Sequence, residues 1–327
     1  MPLRARQRCH TVLTGLAALA LSVGLAGPAA AAPAADALSA ADTVTEADTV
    51  TEADTVTEAD TWTEADTWTE ADTWTEVGSD RADPLTESQG LASVEVPAGS
   101  PNRYTGIGTI PLNLSTRGWN HVGDPDASYD GHYVEPYQRD DGNTKMFRVQ
   151  EPDGSWAEYV HTLSPGEALN NSWSAVSPDG QWMLSGEWGT MDRLLVFPTP
   201  GVNPATSPSA NLPQAATVRL DHAVRDVQGC DFLDATTLLC SSDDPAGTLF
   251  GITKPLLRID LSAAPNGTAD VTGHVTALRQ LPLRSACSGD FETEGIDYDR
   301  RTGTLRVIVV SPGFCVLTDS KTYRFTR

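Results

Sequence analysis

Apolar and polar residues alternate in short runs along residues 84–327, and turn-forming residues separate these runs. The segments 145–149, 193–197 and 305–310 are rich in β-branched, aromatic and leucine side chains. Gly, Pro, Asn and Asp cluster between such segments, while the periodicity of an amphipathic helix is scarce. The pattern therefore predicts one all-β domain.

A unit of four predicted strands recurs four times in this domain. The first strands of successive units start near His121, Trp173, Gly229 and Gly295, at spacings of 52, 56 and 66 residues. One antiparallel four-stranded sheet per unit is typical of the blades of a β-propeller. We therefore predict a small β-propeller.

The fourth unit is one strand short, and this leaves two ways to close the ring. Residues 103–110 could supply the missing outer strand, which gives four blades with no open edge. A fifth blade is the alternative if residues 84–117 form a blade of their own. A β-sandwich would show similar short strands and regular turns.

The N-terminus has the features of a secretory signal peptide. Arg4, Arg6 and Arg8 precede an apolar run of 15 residues at 12–26, and small residues follow. Cleavage after Ala31 fits this pattern, and the run is too short for a transmembrane helix, which needs about 20 apolar residues. We expect residues 1–31 to be removed and the protein to be secreted, without a membrane span.

Residues 32–83 form a repetitive acidic segment. Six hexads begin at residues 42, 48, 54, 60, 66 and 72; three contain Asp-Thr-Val-Thr-Glu, and three carry Trp62, Trp68 and Trp74 in place of Val. No helix or strand period gathers these residues on an apolar face, and 36–83 hold 15 acidic side chains against one basic side chain. The pattern predicts a disordered spacer before a β domain at 84–327.

Charge and cysteines narrow the function classes. The formal net charge is −22, which opposes nucleic-acid phosphates, so we expect no nucleic-acid partner. We also expect the protein to be a monomer. Cys230, Cys240, Cys287 and Cys315 remain after signal cleavage, an even number for an oxidising compartment. Cys230 and Cys240 flank a predicted hairpin, so we predict the pairs Cys230–Cys240 and Cys287–Cys315.

Ligands of propellers usually bind where the inner strands and their loops converge on the central channel. Polar or aromatic residues occupy these positions in all four units, and they are also suited to bonding one another or channel water. The candidate ligand-binding residues are Asn120, His121, Asn171, Trp173, Gln228 and Glu294.

Two acidic segments suggest further chemistry. Asp290, Glu292 and Glu294 would share one face of an extended strand, and such oxygen-rich groups suit calcium, although a solvated acidic loop would look the same. Asp124 and Asp126 form a weaker acidic pair. Glu187 and Trp188 would suit glycan stacking and hydrogen bonding, or a packed turn.

The turn Ser-Pro-Asp-Gly-Gln-Trp at 177–182 resembles the inner hairpin of many bacterial propellers, including WD40-like and lactonase-like families. Residues 118–327 as a whole resemble uncharacterised secreted propeller-like proteins of actinobacteria. This resemblance implies the fold and no defined reaction.

Two functional hypotheses follow. The first is an extracellular binding module with a ligand, for which a glycan is one candidate, at the propeller mouth. The second is a hydrolase or lactonase-like enzyme that uses Glu292, Glu294 and His121, with or without calcium. The sequence contains no G-x-S-x-G, H-E-x-x-H or P-loop motif that would fix a reaction.

Overall fold

The structure is a computed structural model that describes residues 73–82, 89–94, 103–106, 110–139, 142–169 and 173–327. These residues form an all-β fold, as the alternating pattern predicted. Helical structure in them is limited to the single turn α1 (Leu112–Ser115) and a 3-10 helix (Gly313–Leu317).

Four antiparallel groups of strands follow one another along the chain, two of which join at their edges into one eight-stranded sheet, and a separate hairpin lies near the N-terminus. The strands, in chain order, are β1 (Thr75–Arg81), β2 (Leu91–Val94), β3 (Arg103–Gly106), β4 (His121–Val122), β5 (Asp126–Ala127), β6 (Tyr133–Gln138), β7 (Thr144–Gln150), β8 (Trp156–Thr162), β9 (Ala175–Val176), β10 (Trp182–Ser185), β11 (Thr190–Pro198), β12 (Ala216–Arg225), β13 (Val227–Phe232), β14 (Thr237–Ser242), β15 (Pro255–Leu261), β16 (Val271–Gln280), β17 (Glu292–Asp299), β18 (Thr304–Val310) and β19 (Lys321–Thr326).

The sheets are the blades of a propeller, because their first strands contact one another in cyclic order. Blade one contains β4 to β8, with β4 and β5 sharing the inner position; blade two contains β9 to β12, blade three β13 to β16, and blade four β17 to β19. The inner strands β5, β9, β13 and β17 contact one another in turn, and β2 lies between β17 and β5. A β-sandwich has no such cycle, so the propeller prediction is confirmed.

The hairpin of β2 and β3 is the fifth member of the ring. It pairs antiparallel from Leu91 opposite Gly106 to Val94 opposite Arg103. Among the described residues, the ring therefore has four blades, the first with its inner position divided between two short strands, and one two-stranded unit. The four-blade prediction required residues 103–110 to supply the outer strand of blade four, but Arg103–Gly106 pairs within this hairpin instead.

Blade four is completed by β1, which pairs antiparallel with β19 from Thr75 opposite Thr326 to Arg81 opposite Lys321. Trp74, just before β1, is buried. The boundary predicted between a spacer ending at residue 83 and the β domain is therefore wrong for residues 74–82. Backbone pairing and one buried indole place them in blade four, although their sequence has no apolar face.

Blades two and three share a further contact at their outer edges. Strands β12 and β16 pair in parallel, with Val218 opposite Val271 and Leu220 opposite Gly273. This pairing joins eight strands into one sheet and satisfies backbone groups that an open edge would leave unpaired.

Apolar clusters between neighbouring blades form the core. The largest lies between blades two and three and includes the fully buried Trp173, Leu184, Phe232 and Leu257. Complete burial of one such side chain stabilises a fold by about 1.5–3 kcal/mol. The core therefore consists of contacts between blade faces and leaves the polar ends of the inner strands around the axis.

Both predicted disulfides are present. Cys230 and Cys240 lie directly opposite each other in β13 and β14, with their Cα atoms 4.1 Å apart. Cys287 and Cys315 join the segment before β17 to the 3-10 helix, with a Cα separation of 5.8 Å. Such bonds are compatible with an extracellular protein.

The described part of the chain contains no helix with the length and apolar character needed to cross a bilayer.

Candidate functional site

Asp124 lies on the axis of the propeller, fully buried between the inner strands. Its carboxyl oxygens accept the backbone N–H groups of Leu91 in β2 and Ile296 in β17, each at 3.0 Å. A Cβ atom at Gly229 would lie 2.3 Å from this carboxyl, and one at Gly295 would lie 2.0 Å from it. The two glycines therefore leave the space that Asp124 fills, and burial raises its pKa well above the usual value.

The side chain of Asp124 divides the axis into two ends. We call the end where the inner strands begin the mouth, and the end where they turn into the second strands the far end. Glu292 lies opposite Val310 and Val227 lies opposite Ser242, so the loops after β18 and β14 lie at the mouth. The pairing of Ala175 with Leu184 likewise places the loop after β10 at the mouth.

Glu294 is a buried carboxyl at the mouth, as the inner-strand alignment predicted. Burial raises its pKa well above the usual value, and the negative charges of Glu292 and Asp243 raise it further, while Lys254 acts in the opposite direction. The described residues form no hydrogen bond to its carboxyl group. Glu294 is therefore a buried acid whose hydrogen-bonding capacity the described fold does not use.

Asp243 and Lys254 complete what we call the mouth cluster, together with Glu292 and Glu294. Lys254 is buried and donates to the Asp243 carboxylate at 2.5 Å. Asp243 also accepts the backbone N–H of Thr293 at 2.8 Å, which connects the loop after β14 to β17. Sequence reasoning missed both residues because they come from a neighbouring blade, and only the fold brings them to β17.

The other predicted inner-strand residues differ in position. Asn120 is exposed and His121 is half-buried at the start of β4, and Gln228 is half-buried in β13. Asn171 lies outside the described residues. Trp173 is fully buried in the core between blades two and three and presents no exposed surface to a ligand.

Glu187 and Trp188 lie on the mouth loop after β10. Arg193 donates to both carboxylate oxygens of Glu187, at 2.5 and 2.9 Å, and the N–H of Ala168 donates at 2.8 Å. Burial opposes ionisation of Glu187, but these hydrogen bonds outweigh burial and lower its pKa. Glu187 therefore anchors a loop, whereas Trp188 is half exposed at the rim.

A buried ionic network beside the mouth was not predicted. The Glu167 carboxylate forms an ion pair with the Lys145 ammonium at 2.8 Å and contacts His161 Nε2 at 2.9 Å. All three side chains are almost completely buried. Burial works against the Glu167 carboxylate, but hydrogen bonds from His161 and Lys145 lower its pKa to about 2. The network fixes the segment after β8 to blade one.

The predicted calcium site is not formed. Asp290 and Glu292 are exposed, whereas Glu294 is buried. Among the residues that the structure describes, no three His, Cys, Asp or Glu side chains are grouped as a metal site requires. Side chains alternate between the two faces of β17, so Glu292 and Glu294 lie on the same face, but Glu292 is exposed and Glu294 is buried.

Three further buried carboxyls lie at the far end, one in each of three inner strands. Asp126 accepts the N–H of Val176 at 2.6 Å, Asp231 accepts the N–H of Tyr298 at 2.6 Å, and Asp297 accepts the N–H of Ser93. Each bond joins one ring member to the next. Burial raises the pKa of all three carboxyls, that of Asp231 to about 6.

Two arginines complete the far end. Arg306 contacts the Asp297 carboxylate, and Arg300 donates to the carbonyl of Phe232 at 3.0 Å while its guanidinium lies 4.5 Å from the ring centroid of Tyr129. The far-end acids thus each accept a backbone N–H from a neighbouring ring member, and they line a cavity together with Tyr129 and Arg300. Their signal in the sequence is an Asp at the same inner-strand position in three of the four units.

The sequence matches no protein-family profile, and a search of curated proteins finds no similar protein. Among solved structures, a glycosyl hydrolase from Bacteroides ovatus is similar with 13% identity and a TM-score of 0.37, over 69% of this chain and 72% of that chain. The β-propeller domain of Myceliophteria thermophila Cps50 (Swd1) is similar with 13% identity and a TM-score of 0.26, over 54% of this chain and 45% of that chain. At these scores the propeller assignment rests on strand topology.

Proposed function

We propose that the protein is a secreted binding module that holds a hydroxyl-rich ligand, such as a glycan, at the mouth of the propeller. The observation that carries this proposal is the Glu294 carboxyl, which lies at the mouth on a side chain only 5% exposed and accepts no hydrogen bond from the described residues. Its oxygens are not sealed from the surface, so a ligand hydroxyl can donate to them.

The chemistry of the rim supports a neutral polyol over an anion. Glu292, Glu294 and Asp243 are acidic, and the one cation in the mouth cluster, Lys254, is already paired with Asp243. Trp188 is half exposed and Phe314 is 89% exposed, both on mouth loops. Aromatic faces beside carboxyl groups suit the apolar faces and the hydroxyl groups of a sugar.

A glycan screen of the mature protein, followed by calorimetry, tests the proposal. We expect at least one neutral glycan to bind, and Glu294→Gln to weaken binding at least tenfold, the effect of about 1.4 kcal/mol. Asp192→Asn, at an exposed position in β11, is the matched control and should bind like the wild type. A screen without any bound glycan, or equal binding by Glu294→Gln, contradicts the proposal.

Hydrolysis is the second candidate, and the raised pKa of Glu294 favours it. A general acid must be protonated at the working pH, and burial beside other carboxylates produces such a group. Glu292 or Asp243 would then be the second carboxyl. Turnover that falls as pH rises, and that Glu294→Gln abolishes, would support this activity; turnover unchanged in Glu294→Gln would exclude this role.

A further inference from the structure

The outer edge of blade four holds the last Trp hexad of the N-terminal repeat. Trp74 is only 4% exposed, its ring packs edge-on against Tyr298 with 5.9 Å between centroids, and the Arg327 guanidinium lies 5.2 Å from its ring centroid. The hexad is therefore an integral part of the domain here, with its indole in an apolar socket.

Polar contacts fix the same hexad in register. Arg279 donates to the backbone carbonyl of Trp74 at 2.9 Å. Arg284 donates to both carboxylate oxygens of Glu76, at 2.7 and 2.9 Å. A bidentate arginine–carboxylate pair is among the more specific contacts that a surface can offer. We call the Trp74 socket, Arg279, Arg284 and the edge of β19 the hexad slot.

The residues that enter the slot occur three times in the chain. The five residues Asp-Thr-Trp-Thr-Glu stand at 60–64, 66–70 and 72–76, with Trp62, Trp68 and Trp74 at their centres. The slot therefore has one occupant and two further segments with an identical recognition sequence.

We propose that the hexad slot is a docking site for the Asp-Thr-Trp-Thr-Glu sequence and that the copy at 66–70 of the same chain is an alternative occupant. The slot would then exchange neighbouring hexads, each with the same indole and carboxylate contacts. An exchange of one hexad changes the length of chain before the slot by six residues, about 20 Å when extended.

The pairing of β1 with β19 contains a suitable hinge for this exchange. The register shifts at a β-bulge between Glu76 and Gly78, while Gly78 to Arg81 continue to pair with β19. Six additional residues can loop out at this bulge without a change in the pairing that follows it. Loop closure at this length has a modest entropic cost.

The tether favours an occupant from the same chain over one from a second copy. The copy at 66–70 directly precedes the bound hexad, so its effective concentration at the slot is on the order of millimolar. A second molecule at micromolar concentration competes poorly with such a ligand. This inference does not depend on the ligand proposed for the mouth.

Cysteine trapping in the full mature chain tests the exchange. Thr75 lies opposite Thr326 in the observed register, and exchange by one hexad places Thr69 there. In a Trp74→Ala background, Thr69→Cys with Thr326→Cys should form an intramolecular disulfide, identified by peptide mapping. Thr75→Cys with Thr326→Cys in the otherwise wild-type chain is the positive control.

Thermal unfolding provides a second readout. Trp74→Ala should lower the Tm by less than half of the loss seen in the triple variant Trp62→Ala, Trp68→Ala, Trp74→Ala, and Trp68→Ala alone should leave it unchanged. An equal loss in the single and triple variants, or no disulfide between positions 69 and 326 in the trapping variant, would overturn the proposal. Links only between molecules would also overturn it, because the occupant would then come from a second copy.

Discussion

The two ends of the propeller axis both contain buried carboxyl groups with raised pKa values, but the groups differ in their partners. At the far end, Asp126, Asp231 and Asp297 each accept a backbone N–H from the next ring member. At the mouth, Glu294 accepts no hydrogen bond from the described residues. The comparison teaches that burial and a shifted pKa occur both in carboxyls that join ring members and in one that does not, so these two properties alone do not identify a site.

The two ends of the axis also differ in how their positively charged side chains are paired with the buried acids. Arg300 and Arg306 are placed against far-end acids, with Arg306 in direct contact with Asp297. At the mouth, Lys254 is held by Asp243, so the carboxyl of Glu294 is left without an ionic partner among the described residues. The far-end acids thus join neighbouring ring members, whereas Glu294 has no such bond among the described residues.

The largest loss of stability is expected for substitution of Asp124, which lies between the two ends of the axis. Asp124→Ala leaves the N–H groups of Leu91 and Ile296 buried without their acceptor, and each such group costs about 1–3 kcal/mol. We expect the free energy of unfolding in urea to fall by about 4 kcal/mol in total. The exposed Asp192→Ala should change it by less than about 0.5 kcal/mol. A loss below about 1 kcal/mol for Asp124→Ala would contradict the conclusion that Asp124 holds the ring members together.

A smaller loss is expected at the far end. Asp231→Ala removes the acceptor of the Tyr298 N–H and the nearest carboxylate of Arg300, so the free energy of unfolding should fall by about 2 kcal/mol. Urea titration of the variant beside the wild type measures this loss. If Asp231→Ala unfolded like the wild type, the far-end acids would not join the blades, and the distinction between the ends would fail.

The pH dependence of stability should follow the far-end acids. The pKa of Asp231 is about 6 in the folded protein, above the ordinary value near 4, so folding favours its protonated form. Stability from this group is therefore full below about pH 4 and is lost as pH rises through about 6. The Tm of the wild type should fall relative to that of Asp231→Asn between about pH 4.5 and 7.5. A constant difference between the two proteins would contradict this assignment.

No loss of stability is expected at the mouth. Glu294→Gln removes an ionisable group whose charge burial disfavours and breaks no hydrogen bond from the described residues, so the free energy of unfolding at pH 7 should not fall. Ligand binding should nevertheless be lost. A variant that lost stability like Asp231→Ala would make Glu294 a structural residue as well.

Local signals in the sequence were sufficient for much of the fold. Alternating runs and turns predicted the all-β class and the recurring units, and the hairpin between Cys230 and Cys240 predicted a disulfide that is present. They misplaced the closing strand, because β1 has no apolar face and its position depends on Trp74 and on pairing with β19. An edge strand that is exposed to solvent needs no apolar face, so its sequence shows little of the hydrophobic alternation by which strands are predicted.

The residues of the candidate site could be predicted only in part from local signals in the sequence. The sequence by itself placed Gln228 and Glu294 in inner strands, where the structure has them in β13 and β17. Tertiary structure alone decided that Trp173 packs in the core, that Asp243 and Lys254 join Glu294, and that Asp231 is satisfied by Tyr298. The physical reason is that hydrophobic alternation is a property of neighbours along the chain, whereas burial and hydrogen bonding at the axis depend on strands from different blades.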